Sequence, residues 1–263
     1  MGRGDSVGTE LAEAMRKYLD CPCRYFEGMP DDSRIMEAYR EARRRGQKEG
    51  FVPLLVPVDD VLWEWLAMNT AEDYKTDGKY AFCAEKAAEY RKEMLNAPMM
   101  DGREVLALSK ERMQEMYEEE GFEWNETVEE ADSGEGMNSF CGYHSYTTGG
   151  TSPLLLAEIP VKNPWEIFAW VPFGGWNECP DTPELMAVAK YWYEQYGAVP
   201  AVISHDVLEF DVPQPVSREK AAELALEQYM YCPDIVDQGG DDASVGMLAD
   251  TLTKSTVWFF WWD

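Results

Sequence analysis

The stretch of the sequence with the densest chemistry is residues 172–180, Pro-Phe-Gly-Gly-Trp-Asn-Glu-Cys-Pro. Two adjacent glycines permit backbone angles that other residues avoid, and the next four residues supply an aromatic plate, an amide, a carboxylate and a thiol. These groups suit ligand binding by stacking and hydrogen bonding, or catalysis by a thiol nucleophile. A structural hinge that buries Trp176 while joining a strand to a capped helix explains the same residues, so both interpretations stay open.

The thiol of Cys179 needs partners if it is to take part in catalysis. A cysteine nucleophile requires a histidine base, and His144 and His205 are the only histidines in the sequence. His144 lies in a linker-like region, which leaves His205. Glu178 and Asp234 can act instead as paired carboxylates if the fold brings them together. The candidate site for an enzyme of the hydrolase class therefore contains Glu178, Cys179, His205 and Asp234. We commit to none of these residues as catalytic.

Metal binding is a second chemistry open to the cysteines. Zinc favours sulfur and imidazole ligands, which makes Cys179, Cys232 and His205 the candidates. No C-x-x-C or H-x-x-x-H spacing supports them, and free cysteine is among the commonest buried residues. The motif at residues 21–23, Cys-Pro-Cys, is tighter than C-x-x-C, so we expect reduced thiols there. We therefore predict no metal and no cofactor.

Aromatic and polar side chains near residues 172–180 and near the C-terminus suit a stacking platform for a sugar, a base or a peptide proline. The alternative is that a strand rich in Trp and Phe packs into an α/β core, because such a strand alternates faces and buries a large area. The candidate ligand- or partner-binding residues are Trp176, Asn177, Glu178, Tyr231, Asp234, Gln238 and Trp262.

The charge balance excludes several classes of function. Fifty acids against 23 bases give a net charge of −27, whereas nucleic acids and anionic membranes both require a basic surface. Residues 111–135 contain eleven carboxylates and one base. Such a segment is typical of a solvated helix face, or of a decoy surface for a basic partner. Because no apolar run is long enough for a membrane helix and no secretion signal is present, we expect a cytoplasmic protein.

The elements that would position these residues are indicated by hydrophobic periodicity and by capping residues. The predicted helices cover residues 9–20, 31–50, 81–95, 109–120, 182–196, 217–231 and 243–254. The predicted strands cover residues 51–58, 154–159, 165–171, 198–204, 207–212 and 256–262, with a hairpin joining 198–204 to 207–212. Residues 61–66 fit a helix and a strand equally well.

The order of elements predicts an α+β protein of two similar α/β halves, with mixed sheets flanked by helices. Residues 52–56 correspond to 199–203, each segment follows a helix and a glycine, and each precedes Asp-Val-Leu, at Asp60 and at Asp206. This echo favours an ancient duplication. We place an N-terminal half at 1–120, an acidic and Gly/Ser/Thr-rich linker at 121–152, and a ββαββααβ domain at 153–263.

The C-terminal half contains an ordered series of distinctive residues, which are Pro164-Trp165, 173–180, Trp192, 196–198, Ala225, 227–229, 231–236, Gln238-Gly239 and 258–263. In these residues it resembles a bacterial family known only as domain of unknown function 4253. The resemblance covers about residues 153–263, and the first half is similar to the less distinctive N-terminal region that such proteins often carry. It implies a domain extent and brings no activity.

These observations predict a non-catalytic binding or interaction protein. The acid excess favours a basic protein as the partner, and an immunity or decoy role towards that partner is one concrete form. The alternative is the hydrolase described above.

Overall fold

The computed structural model describes residues 4–70, 82–121, 130–145, 147–240 and 243–263. The helices are α1 (Gly4–Leu19), α2 (Ser33–Glu49), α3 (Asp60–Thr70), α4 (Ala84–Asn96), α5 (Gly102–Glu120), α6 (Thr182–Tyr196), α7 (Arg218–Tyr231), α8 (Asp234–Asp237) and α9 (Val245–Leu252). The strands are β1 (Cys23–Phe26), β2 (Val52–Pro57), β3 (Leu154–Ile159), β4 (Val199–Ile203), β5 (Val207–Asp211) and β6 (Val257–Trp261). This mixture of helices and sheet confirms the predicted α+β class.

The strands of the described part of the chain form one six-stranded mixed sheet in the order β1-β3-β2-β4-β5-β6. β3 pairs antiparallel with β1 and with β2, and β2 pairs parallel with β4. Every residue of β2 is buried, as expected for a strand with neighbours on both sides. Among the described residues, no helix is long and apolar enough to span a bilayer.

The chain divides into two compact units. Unit 1 contains Met1–Pro98, Cys141–Phe173 and Pro200–Leu208, and unit 2 contains Met99–Phe140, Gly174–Val199 and Glu209–Asp263. Each unit therefore draws on chain from both sides of the predicted 121–152 linker. The predicted domains, 1–120 and 153–263 on either side of that linker, divide the chain differently from these two units. The predicted division stays a prediction.

Unit 1 is built around helices whose apolar residues share one face. In α2 the buried residues Ile35, Ala38, Tyr39 and Ala42 follow helical spacing. The helix ends at Gly50, whose φ of 83° is left-handed, which glycine adopts at no steric cost. Part of the predicted linker also packs in this unit, because residue 143 is a buried tyrosine whose hydroxyl donates to an Asp32 carboxylate oxygen at 2.9 Å.

The core of unit 2 is an aromatic cluster around Trp192. Its indole is fully buried and lies edge-to-face with Phe210, Tyr231 and Trp258, with ring centres 5.0–5.8 Å apart, and it stacks on Phe260 at 5.3 Å. Such pairs stabilise a core beyond the area that they bury. The aromatic C-terminal strand is thus a core element of this unit.

Three local predictions were decided by capping groups. The prediction of a strand at 165–171 was wrong, because Pro164–Ala169 is a 3-10 helix that begins where Glu166 accepts from the Asn163 backbone N–H at 3.0 Å. A short apolar run looks alike in both states. α5 begins at Gly102 rather than 109, since the Asp101 carboxylate accepts from the Arg103 N–H at 2.8 Å. Residues 61–66 are helical, within α3, and the Asp59 carboxylate accepts from the Leu62 N–H at 2.8 Å.

The two repeated sequence segments, 52–56 and 199–203, correspond in part in the structure. β2 and β4 pair in parallel with Leu55 opposite Val202, which are equivalent positions of the two repeated segments. The echo then diverges, because Asp60 begins α3 whereas Asp206 precedes β5. The duplication itself stays a prediction.

Candidate functional site

The glycines of residues 172–180 serve two different geometric needs. A Cβ on Gly174 would lie 2.0 Å from the Pro180 carbonyl oxygen, so only glycine allows this approach. Gly175 has a left-handed φ of 88° and its N–H donates to the Cys179 carbonyl at 3.1 Å. Asn177 is also left-handed, with φ of 46°, a conformation that asparagine tolerates better than most residues. This segment is a tight backbone turn before α6.

The turn is tied to the C-terminus by side-chain hydrogen bonds. The Asn177 amide donates to the Asp263 carbonyl, and the Asp263 N–H donates to an Asp234 carboxylate oxygen at 3.0 Å. The other Asp234 oxygen accepts from the Gln238 amide at 2.9 Å. Three sequence-predicted binding residues, Asn177, Asp234 and Gln238, are therefore brought together through Asp263.

Beside this turn, unit 2 contains a cavity of about 290 Å³. Its walls come from the middle of α5, the turn, the first residues of α6 and the end of α7. We call it the methionine pocket. It is lined by Ser109, Arg112, Met113, Met116, Asn177, Glu178, Pro180, Glu184, Met230, Tyr231 and Pro233.

The polar rim of the methionine pocket contains two carboxylates and one guanidinium. Arg112 forms an ion pair with Glu184 at 2.9 Å. Glu184 is held in place because its N–H donates to the Asp181 carboxylate at 3.0 Å in the N-terminal cap of α6. Glu178 is exposed on the turn. With one of the two acids paired, the lining carries one net negative charge.

Tyr231 closes the interior side of the pocket. The side chain is buried, and its hydroxyl has no hydrogen-bond partner within the described residues. Burial, together with the nearby Cys179, Cys232 and Glu184, raises the pKa of Tyr231 well above its usual value. The hydroxyl therefore stays protonated and can donate.

The two cysteines proposed for chemistry are core thiols. Cys179 is 4% exposed and Cys232 is fully buried, with its thiol donating to the Trp261 carbonyl at 3.0 Å. Burial raises the pKa of both thiols. Since the thiolate is the reactive and metal-binding form, this environment disfavours both uses. In the described part of the chain, no group of three His, Cys, Asp or Glu side chains is placed as a metal site requires.

His205 belongs to unit 1, whereas Glu178, Cys179 and Asp234 belong to unit 2. The carboxylate partners of His205 are Asp59, 3.3 Å from Nδ1, and Asp206, 3.4 Å from Nε2. The hydrogen bond to Asp59 raises the pKa of His205. Burial raises the pKa of Asp59, but its hydrogen bonds with His205 and with the Leu62 N–H outweigh that effect and lower it.

We expect the His205→Gln variant to lose stability in a pH-dependent way. A histidine whose pKa is raised by folding stabilises the protein below its unfolded pKa of about 6.5, and this contribution is lost as the pH rises through the folded value. His205 and Asp59 are 37% and 31% exposed, so the solvent-screened effect is below about 1 kcal/mol. Denaturant unfolding should show a larger difference from wild type at about pH 5.5 than at about pH 8.5. An equal stability difference at both pH values would contradict this prediction. The control is His144→Gln, which removes the other imidazole of the sequence.

Sequence reasoning missed the α5 wall of the pocket, which contains Arg112, Met113 and Met116. The two methionines are three residues apart on one helical face, a spacing that is as typical of core as of a site. The single base among the acids of 111–135 was the available signal, since Arg112 is the group that pairs with Glu184.

Comparison with known proteins covers the C-terminal part of the chain. Residues 155–263 match the family model described as Domain of unknown function (DUF4253). No curated protein and no solved structure matches the chain. The DUF4253 match includes the turn at 174–180 and the Asn177–Asp263–Asp234 network. The α5 wall of the pocket precedes the matched region.

Proposed function

We propose that this protein is a non-catalytic binding protein whose methionine pocket accepts an apolar side chain presented by a basic partner protein. The observation that carries the proposal is one cavity that combines three methionines with a net negative rim. A concave, mainly apolar site with a few placed polar groups is the usual form of a ligand-binding pocket.

The methionine wall supports binding of varied side chains. Met113 is buried, while Met116 and Met230 are half-buried and face the same cavity. Methionine is unbranched and polarizable, so it adapts its shape to different apolar groups. Such a wall suits recognition of an apolar anchor more than chemistry that demands one fixed geometry.

The charge of the rim and of the whole protein supports a basic partner. Glu178 adds one uncompensated acid beside the Arg112–Glu184 pair. The net charge of −27 attracts a cationic protein over distance and speeds its association. An immunity or decoy role, in which this protein occupies the basic surface of its partner, is the concrete form that we favour.

The acid-rich segment 111–135 is a further element of this proposal. Residues 122–129 of it lie outside the described residues. The described portion of α5 before them carries exposed glutamates next to the pocket wall, so a partner anchored in the pocket would lie near this acidic face.

The hydrolase alternative has less support. Burial raises the pKa of Cys179, which disfavours a thiolate nucleophile. His205 makes its carboxylate pairs with Asp59 and Asp206. These observations favour the binding proposal over a cysteine hydrolase.

We expect a lysine-rich peptide with one central leucine to bind the methionine pocket. With ¹³C-labelled methionine methyl groups, NMR titration should shift the resonances of Met113, Met116 and Met230, assigned by Met→Leu variants. Glu178→Lys should weaken binding about tenfold, or about 1.4 kcal/mol, because it reverses the uncompensated rim charge. Higher salt should weaken binding as well.

The matched control is Glu219→Lys, which makes the same charge change at an exposed position outside the pocket lining. It should change the affinity by less than about twofold. If both variants lost the same affinity for the peptide, the net charge of the protein would explain the loss. That result would contradict binding in the pocket. A peptide in which serine replaces the leucine tests the apolar anchor, and equal affinity for it would also count against the proposal.

A further inference from the structure

The Cys-Pro-Cys motif of unit 1 lies outside the methionine pocket and plays no part in the proposed function. The Cys21 and Cys23 sulfur atoms are 3.9 Å apart, and the Cys23 thiol also donates to the Cys21 carbonyl oxygen at 3.4 Å. Both residues are half-buried free thiols, whereas Cys179 and Cys232 are sealed in the core. A small reagent can therefore reach this pair.

A buried arginine lies beside Cys21. Arg91 is only 7% exposed, donates to the Tyr18 carbonyl oxygen, and lies over the Trp170 ring at 4.9 Å. Burial lowers the pKa of Arg91, while the nearby Asp20 and Cys21 act in the opposite direction. Arg91 lowers the pKa of Cys21, but the hydrogen bond with Cys23 and burial outweigh this effect.

The two thiols differ in their protonation. The hydrogen bond from Cys21 lowers the pKa of Cys23, and Arg16 adds to this effect, while burial and Glu158 oppose it. The same hydrogen bond, together with burial, raises the pKa of Cys21. These effects favour Cys23 over Cys21 as the thiolate of the wild-type pair.

The position of the pair allows the two sulfurs to meet. A disulfide requires a separation of about 2.05 Å, so the sulfurs must approach by about 2 Å. Cys23 is the first residue of β1, and Cys21 precedes the strand. The movement is therefore confined to the end of the strand rather than its middle.

We propose that Cys21 and Cys23 form a reactive dithiol that low-molecular-weight disulfides, such as oxidised glutathione, convert to an intramolecular disulfide. The Cys23 thiolate attacks one sulfur of the small disulfide, a mixed disulfide forms, and the first small thiolate leaves. Cys21 then loses its proton and attacks the Cys23 sulfur, which releases the second small thiolate. The protein dithiol loses two protons and two electrons. The small disulfide gains both and becomes two small thiols.

The test uses the full chain incubated with oxidised and reduced glutathione at pH 7, followed by acid quenching, alkylation and trypsin. Cleavage after Lys17 and Arg24 yields residues 18–24, a peptide that contains both cysteines of the motif and no other. Mass spectrometry should find this peptide two hydrogens lighter than the dithiol. Because the hydrogen bond from Cys21 lowers the pKa of Cys23, the motif should react with oxidised glutathione faster than the exposed Cys83.

Single variants test whether each sulfur resolves the mixed disulfide of the other. Cys21→Ser should trap Cys23 as a mixed disulfide with glutathione, and Cys23→Ser should trap Cys21 in the same way, because neither variant keeps the second thiol of the pair. Cys83→Ser is the matched control and should form the disulfide at the wild-type rate. The proposal is overturned if the peptide stays a dithiol while Cys83 forms a mixed disulfide. It is equally overturned if the wild-type peptide ends as a stable mixed disulfide with glutathione instead of losing two hydrogens.

Discussion

Replacing Gly174 with alanine should lower the free energy of unfolding by about 3 kcal/mol or more. The new Cβ would lie 2.0 Å from the Pro180 carbonyl oxygen, 3.1 Å from a Leu185 methyl and 3.2 Å from the Cys179 sulfur. The carbonyl belongs to the backbone, so rotation of a side chain does not relieve the clash. The turn must open, which breaks the hydrogen bond from the Gly175 N–H.

The neighbouring Gly175 provides the matched control. Its φ of 88° is left-handed, but an added Cβ there meets no atom within 4 Å. Gly175→Ala should therefore lose only the conformational cost of a left-handed alanine, about 1 kcal/mol. Urea unfolding followed by circular dichroism measures both variants. If the two losses were the same, backbone angle rather than close approach would explain both glycines.

The second large effect is expected for Trp192→Ala, with a loss of about 3–5 kcal/mol in the free energy of unfolding. The indole is fully buried among Phe210, Tyr231, Trp258 and Phe260. Alanine leaves a cavity that four rings line. The substitution also removes the donor that the indole Nε1 gives to Glu227 at 3.1 Å, and burial already raises the pKa of that carboxyl.

Two variants on the same helix test this explanation. Trp192→Phe keeps most of the packing but removes the Glu227 donor, so it should lose less than the alanine variant. Gln195→Ala changes an exposed residue of the same helix, and its effect should stay within about 0.5 kcal/mol. Denaturant midpoints compare all three. A loss from Gln195→Ala as large as that from Trp192→Ala would mean that burial is not the cause.

The candidate site was only partly predictable from the sequence. Asn177 and Glu178 were identified because two glycines precede them and their side chains are polar, and both line the methionine pocket. Arg112 and Met113 were missed, since helical spacing of apolar residues looks the same whether a helix faces a core or a cavity. Asn177 and Asp263 are 86 positions apart, and no local pattern links them.

The Cys-Pro-Cys motif illustrates the same limit on sequence reasoning. The sequence shows the spacing of Cys21 and Cys23, and we expected reduced thiols there. Their environment depends on Arg91, which lies on α4, about 70 residues away along the chain. The hydrogen bond between the two thiols is local, whereas the charges of Arg91 and Glu158 come from residues that are distant in sequence.

By itself the sequence determined the α+β class, most helices and strands, the helix-ending glycines and the region that matches DUF4253, because these depend on local periodicity, capping and ordered motifs. The tertiary structure decided whether 165–171 and 61–66 were strand or helix, which aromatic residues became core, and which side chains meet in the methionine pocket. These outcomes depend on packing between segments that are far apart in the chain, and local sequence patterns do not predict such packing.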